Sequence, residues 1–266
     1  MKFSHPVIAF LASLKQRLFC RFREAIAYLS NYVKPSAPSD AVRVVIFAQG
    51  RTGSTLLENL LCSSGYFREN GELLNTRYGE VLFPISFILG LSKRSRSNFI
   101  FHVKIYHLTK NRENPIDPRS FLEKLYADGW KIIYLRRENK VKHALSNIIV
   151  NHRGKYHKFD TEEEDLKILF KCEQLIRRVK RRLACEEEEK AALENVKYHE
   201  VIYENDLENA QSHQQTVDRI FEYLSLAPKA VTTRHKKVNN RPLEETISNY
   251  DEFLDCLHQQ GWQTFL

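Results

Sequence analysis

Val44-Val45-Ile46-Phe47-Ala48-Gln49-Gly50-Arg51-Thr52-Gly53-Ser54-Thr55-Leu56-Leu57 is the stretch from which the rest of the chain can be read. A β-branched apolar run ends at a turn with two glycines, and apolar residues then recur at helical spacing through Leu56, Leu57, Leu60 and Leu61. Strand, tight turn and helix start in that order predict an anion cradle. The first N–H groups of a helix lack partners within it, and the helix dipole adds partial positive charge at the same end. Gly50 and Gly53 let the backbone bend and come close to a ligand. Thr52, Ser54 and Thr55 offer hydroxyls, and Arg51 offers a fixed cation with a planar donor fork. An ordinary capped strand-to-helix turn is the plainer alternative.

The spacing excludes two common phosphate loops. The nucleotide-triphosphate loop needs G-x-x-x-x-G-K-[ST], whereas here Gly50 and Gly53 are too close and no Lys follows Gly53. The dinucleotide fingerprint G-x-G-x-x-G is absent.

Working outward, 266 residues suit one α/β domain with a substantial core. A net charge of +8 favours polyanionic partners such as nucleotides, acidic glycans or anionic lipid. With no RNP-like, zinc-finger or helix-turn-helix signature, no nucleic-acid partner is expected. The five cysteines are odd in number and scattered, with no C-x-x-C pair, so reduced thiols in the cytoplasm and a metal-free mechanism are expected.

Residues 1–40 read as a basic amphipathic helical extension and linker, and 41–266 as the α/β domain. The apolar run Pro6 to Leu14 is shorter than the roughly 20 residues that span a bilayer. A helix packed on the domain is the first expectation for residues 1–33, and peripheral membrane contact is the alternative. Further strands are expected at Phe99 to Tyr106, Trp130 to Leu135 and Tyr198 to Tyr203. Helices are expected after Arg137, from about Thr161 to Glu194, from about Ser212 to Leu224, and from about Leu243 to Leu257. Alternation of this kind predicts a P-loop-like, mainly parallel sheet of four to five strands with helices on both faces. Its ligands belong beyond the strand C-termini, where both cationic turns fall.

The loop Gly50-Arg51-Thr52-Gly53-Ser54-Thr55-Leu56-Leu57 resembles the 5′-phosphosulfate loop of sulfotransferases that use 3′-phosphoadenosine 5′-phosphosulfate (PAPS). Ile133-Tyr134-Leu135-Arg136-Arg137-Glu138-Asn139 with Ala144-Leu145-Ser146 resembles the family's 3′-phosphate site. There, Arg137 and Ser146 take the gripping roles, with Arg136 an open alternative. Asn239-Asn240-Arg241-Pro242 stands where the family closes a loop over the nucleotide, which implies that Arg241 touches the donor. Pattern and order resemble the bacterial carbohydrate-type group, the one containing trehalose- and nodulation-factor-type enzymes, over roughly residues 43 to 260. The Gly-rich C-terminal loop of the cytosolic enzymes is missing.

The resemblance implies in-line sulfuryl transfer from PAPS to a hydroxyl or amine of a carbohydrate or glycolipid acceptor. Arg51, Thr52, Gly53, Ser54 and Thr55 would stabilise charge at the 5′-phosphate. Glu72, after Gly71, stands where the family places a catalytic carboxylate. His107 is the second candidate base, because Lys104 and His107 resemble a Lys/His pair of the cytosolic enzymes. His102 stands behind both, and Lys104 is an alternative holder of the sulfuryl oxygens. A phosphotransferase on a degenerate P-loop and a non-catalytic nucleotide-binding scaffold are the competing classes.

Overall fold

The structure is a computed structural model and describes residues 5–34, 38, 40–153, 167–233 and 242–265. Four strands form one sheet: β1 (Arg43–Ala48), β2 (Phe99–Val103), β3 (Lys131–Arg136) and β4 (Tyr198–Ile202). Their order is β2-β1-β3-β4, and every pairing is parallel. The helices are α1 (His5–Val33), α2 (Ser54–Ser63), α3 (Pro84–Ser95), α4 (Ile105–Leu108), α5 (Pro118–Ala127), α6 (Lys140–Arg153), α7 (Cys172–Leu193), α8 (His213–Tyr223), α9 (Leu243–Thr246) and α10 (Tyr250–Gln260). This is the expected α/β architecture with a parallel sheet covered on both faces.

The apolar runs of β1 and β2 are buried throughout because each face of the sheet carries its own helices. Val45, Phe47, Phe101 and Tyr134 face a core completed by Ala27, Phe87, Leu122 and Leu193 from α1, α3, α5 and α7. Val44, Ile46, Ile100 and Leu135 face the other core, built with Leu57 and Leu61 of α2 and Val217 and Phe221 of α8. Period-two alternation thus sends neighbouring residues of one strand into different cores. A third cluster joins α6, α7 and α10. After β1 the chain adds β2 on one side and β3 on the other. The crevice between the C-terminal ends of β1 and β3 is therefore the switch point, where open parallel sheets bind ligands.

α1 is one continuous helix, and Ala27 is fully buried in the same core as the sheet. It crosses α3 so closely that a Cβ on Gly90 would overlap the carbonyl of Ala27. Lys93 Nζ adds a 2.9 Å bond to the Asn31 carbonyl. No helix among the described residues is long and apolar enough to cross a membrane.

Four expectations are corrected. The strand begun at Phe99 stops at Val103, and Ile105–Leu108 turns into a short helix that carries His107. The helix expected from Thr161 starts at Cys172. Before it, Ile168 pairs with Ile247 in an isolated bridge and Leu169 is exposed. Ile247 is extended to make that bridge, which splits the last helix into α9 and α10. Cys172 and Cys256 form a disulfide between α7 and α10, so the expectation of reduced thiols fails for this pair, and the thiol argument for a reducing compartment falls with it. Cys20, Cys62 and Cys185 are free thiols.

Candidate active site

The cradle follows β1 directly. Arg51 (φ 73) and Gly53 (φ 92) both adopt left-handed backbone, the bend that swings the chain from strand into α2. A non-glycine residue there is uncommon, and contacts from α4, from α6 and within the loop itself hold it in place. Tyr106 Oη accepts from Gly50 N (3.0 Å), the ring Nε2 of His143 donates to Gly50 O (2.8 Å), and Thr52 Oγ1 donates to Gln49 O (2.7 Å). His143 is fully buried, and burial keeps it neutral, well below its ordinary pKa. Burial likewise pushes the Tyr106 phenol up to about 12, so it stays protonated. Gly53 caps α2 without a side-chain bond, and the first helical bond is Leu57 N to Gly53 O (2.9 Å). The first turn therefore presents backbone donors to the cleft.

Beneath the cradle, Gln49 Nε2 donates to Glu189 Oε2 (3.1 Å), which also accepts from Tyr134 Oη (3.1 Å). Burial raises the Glu189 carboxyl to about 7 against those two bonds. Arg182 Nη1 reaches Gln49 Oε1 at 3.3 Å, so the floor of the loop is a polar network tied to α7.

Arg137, after β3, is buried yet borders the cleft. Its Nε donates to Glu204 Oε1 (3.2 Å), its Nη1 to the Arg51 carbonyl (3.4 Å), and its guanidinium lies 4.2 Å from the Tyr203 ring centre. Glu204 also accepts from the N–H groups of Glu138 (2.9 Å) and Asn139 (3.3 Å), which braces the approach to α6. Burial pushes Glu204 up, but those N–H bonds and Arg137 outweigh it, leaving the carboxyl below its usual range. Ser146, in α6, accepts from Arg51 Nε at 3.4 Å. Arg136 turns away to Glu200 (2.8 Å) and Glu138 (3.2 Å).

On the opposite wall, Glu72 pairs through Oε1 with Lys104 Nζ, lies 3.5 Å from His107 Nε2 through Oε2, and accepts from Asn75 Nδ2 (2.8 Å). Burial alone would raise the Glu72 carboxyl; the Lys104 ammonium overcomes it and leaves the group below its ordinary value. His107 is lowered to about 4 by burial and by Lys104, so it is neutral at pH 7. Lys104 also approaches the cradle, since a Cβ on Gly50 would stand 3.5 Å from its Nζ. The segment bearing Glu72 is pinned to α2, where Glu58 Oε1 accepts from Asn70 N and Gly71 N (both 2.9 Å) and Oε2 lies 3.5 Å from His102 Nε2.

Arg51, Gly53, Ser54, Thr55, Glu72, Lys104, Arg137 and Ser146 all line one open cleft of about 1660 Å³. Single-ligand pockets run roughly 300–1,000 Å³, so this one has room for more than one small ligand. Thr52 is buried beneath the loop, and His107 is buried behind Glu72 instead of lining the cleft. Arg241 lies outside the described residues. Among the described residues no cluster of His, Cys, Asp or Glu is suited to hold a metal ion. Tyr106, His143, Tyr203, Glu204 and Glu58 brace the site, although the sequence reading gave none of them a role there. Glu58 alone left a trace there, one helical turn beyond the cradle hydroxyl of Ser54.

A scan against protein-family models and a search of curated proteins each found no match. Among solved structures, the chain is similar to a sulfotransferase from Alicyclobacillus acidocaldarius at 15% identity and TM-score 0.42, covering 82% of this chain and 93% of that one. It is also similar to a shikimate kinase from Bacteroides thetaiotaomicron at 15% identity and TM-score 0.38, covering 70% of this chain and 99% of that one. Neither likeness carries a functional argument.

Proposed function

We propose that the protein is a sulfotransferase that moves a sulfuryl group from PAPS to a hydroxyl of a carbohydrate or glycolipid-type acceptor. One observation carries this: two cationic turns, after β1 and after β3, meet in one cleft, with Arg137 reaching the Arg51 carbonyl and Arg51 reaching Ser146. A donor with phosphate groups at both the 3′ and the 5′ position of its ribose calls for two such turns in one cleft. The cradle takes the 5′-phosphosulfate, and Arg137 with Ser146 takes the 3′-phosphate. The loop has no Lys after Gly53, which weighs against a nucleoside triphosphate.

In the transfer, a lone pair of the acceptor oxygen forms a bond to sulfur in line with the leaving group. The bond from sulfur to the bridging oxygen breaks, and its electron pair stays on the 5′-phosphate of 3′,5′-phosphoadenosine. The acceptor proton passes to Glu72, already a carboxylate at neutral pH. Lys104, between Glu72 and the cradle, then has sulfuryl oxygens to neutralise and releases part of its hold on the carboxylate. Neutral His107 buttresses Glu72 from behind. Polar groups on the wall, Asn70, Asn75 and His102 among them, suit an acceptor rich in hydroxyls.

Calorimetric binding of 3′,5′-phosphoadenosine, beside 5′-AMP and ATP with Mg²⁺, tests the donor site. Tight binding of the bisphosphate alone is expected. Preference for ATP would move the assignment to a phosphotransferase, and no nucleotide binding would overturn both.

A further inference from the structure

The helix α1 has two faces, and only one is accounted for. Glu24, Ala27 and Ser30 are buried against the domain, while Leu14, Leu18, Phe22, Ala25, Leu29 and Tyr32 follow each other at steps of three and four residues and are all exposed. Leu18, Phe22, Leu29 and Tyr32 keep 63%, 66%, 61% and 90% of their surface in solvent. An outward stripe of this kind is the reverse of an ordinary surface helix. Helical spacing puts Arg17 and Arg21 along one border and Lys15 along the other, all three exposed. Residues 1–34 hold six Lys/Arg and one Glu. That Glu24 is buried, accepting from Arg21 (2.7 Å) and from Leu82 N (2.7 Å). Exposed Leu82 and Phe83 lie against the same helix, Phe83 through its ring contact with Tyr28 at 5.7 Å. The polar side of α1 forms the far wall of the cleft through Gln16, Cys20, Arg21 and Arg23.

We propose that α1 lays this stripe into the surface of an anionic bilayer, with the cleft rim at the lipid boundary, where a lipid-borne hydroxyl enters without leaving the membrane. Cations beside apolar residues, with no exposed acid on the helix, match an anionic lipid surface. The stripe also holds no acid or amide through which a protein partner would set its register. The acceptor class rests on the transferase assignment; the docking does not.

The test is flotation of the full chain with vesicles of phosphatidylglycerol and phosphatidylcholine in equal parts. Flotation is expected, with affinity on the order of 100-fold weaker on phosphatidylcholine alone as three cations lose their counterpart. Leu18→Glu with Phe22→Glu should abolish it while 3′,5′-phosphoadenosine still binds, which certifies the fold. Phe83→Trp reads the orientation, since lipids brominated in their chains should quench its added fluorescence. No flotation, equal flotation of the double variant, or an unquenched Trp would overturn the proposal. So would a lipid-free dimer broken by the same substitutions, which would assign the stripe to a second copy. Loss of nucleotide binding by the wild type with flotation intact would strike only the transferase assignment.

Discussion

Arg137→Ala should separate two nucleotides that differ by a single phosphate. The guanidinium is held by Glu204, by the Arg51 carbonyl and by the face of Tyr203, so its position is set before a ligand arrives. A charge-assisted hydrogen bond from such a preset donor contributes about 2–3 kcal/mol. That predicts 3′,5′-phosphoadenosine binding weaker by roughly 30- to 150-fold. Affinity for 5′-AMP, which lacks the 3′-phosphate, should stay within about twofold if that phosphate is the partner of Arg137. The fold should survive, because Glu204 keeps the N–H groups of Glu138 and Asn139 after the cation is gone. The stability cost is about 1–2 kcal/mol, readable in a urea titration. Arg137→Lys, which keeps charge but loses the fork, should fall between. Calorimetry with both nucleotides decides, and an equal loss on both, or none on either, would refute the 3′-phosphate assignment.

Four further expectations follow from the structure. Glu72→Gln keeps a partner for Lys104 but removes the base, so turnover should drop about 10²- to 10⁴-fold with donor affinity little changed; full activity would remove Glu72 from the chemistry. Since Glu72 acts as a carboxylate and its folded pKa lies below the usual 4.5, activity should be lost only as pH falls below that value. An acid limb of kcat/KM between pH 6 and 7 would point to an ordinary histidine instead. Gly50→Ala drives a Cβ onto the Tyr106 hydroxyl and should weaken donor binding by about 1–3 kcal/mol, with partial recovery on adding Tyr106→Phe; no recovery would locate the strain elsewhere. Cys256→Ser opens a loop of 84 residues and should cost up to about 4–5 kcal/mol in urea unfolding, matched by reducing the wild type. An unchanged midpoint in both would mean that the bond adds nothing.

Much of the cradle's backbone was legible because local chemistry determines it. The turn between β1 and α2 shows in two glycines and a change of period. That Arg137 borders the cleft while Arg136 turns away was also readable in principle. Arg136 shares its strand face with Tyr134, whose side is taken by the acidic residues of α7, and it meets Glu186 at 3.9 Å. The bracing of the cradle was not readable. Tyr106 and His143 lie 56 and 93 residues from Gly50, and nothing local marks a tyrosine or a histidine as a loop anchor. Glu204 is equally remote from Arg137. The spacing of Leu169 and Phe170 imitates a helix, but pairing of Ile168 with Ile247 outweighs it, as tertiary contacts do for short periodic runs. The disulfide joins residues that no spacing rule connects.

The bare crossing of α1 over Gly90 leaves that joint no slack. Any side chain at 90 must push against the main chain of Ala27, which cannot yield as a flexible side chain would. Gly90→Leu is therefore a wedge: it levers the first helix away from α3 and uncovers the sheet core that Ala27 helps to close. The cleft would lose the wall that Gln16, Cys20, Arg21 and Arg23 supply. One glycine thus decides whether the first helix can seat on the domain, and with it whether the cleft has its far wall.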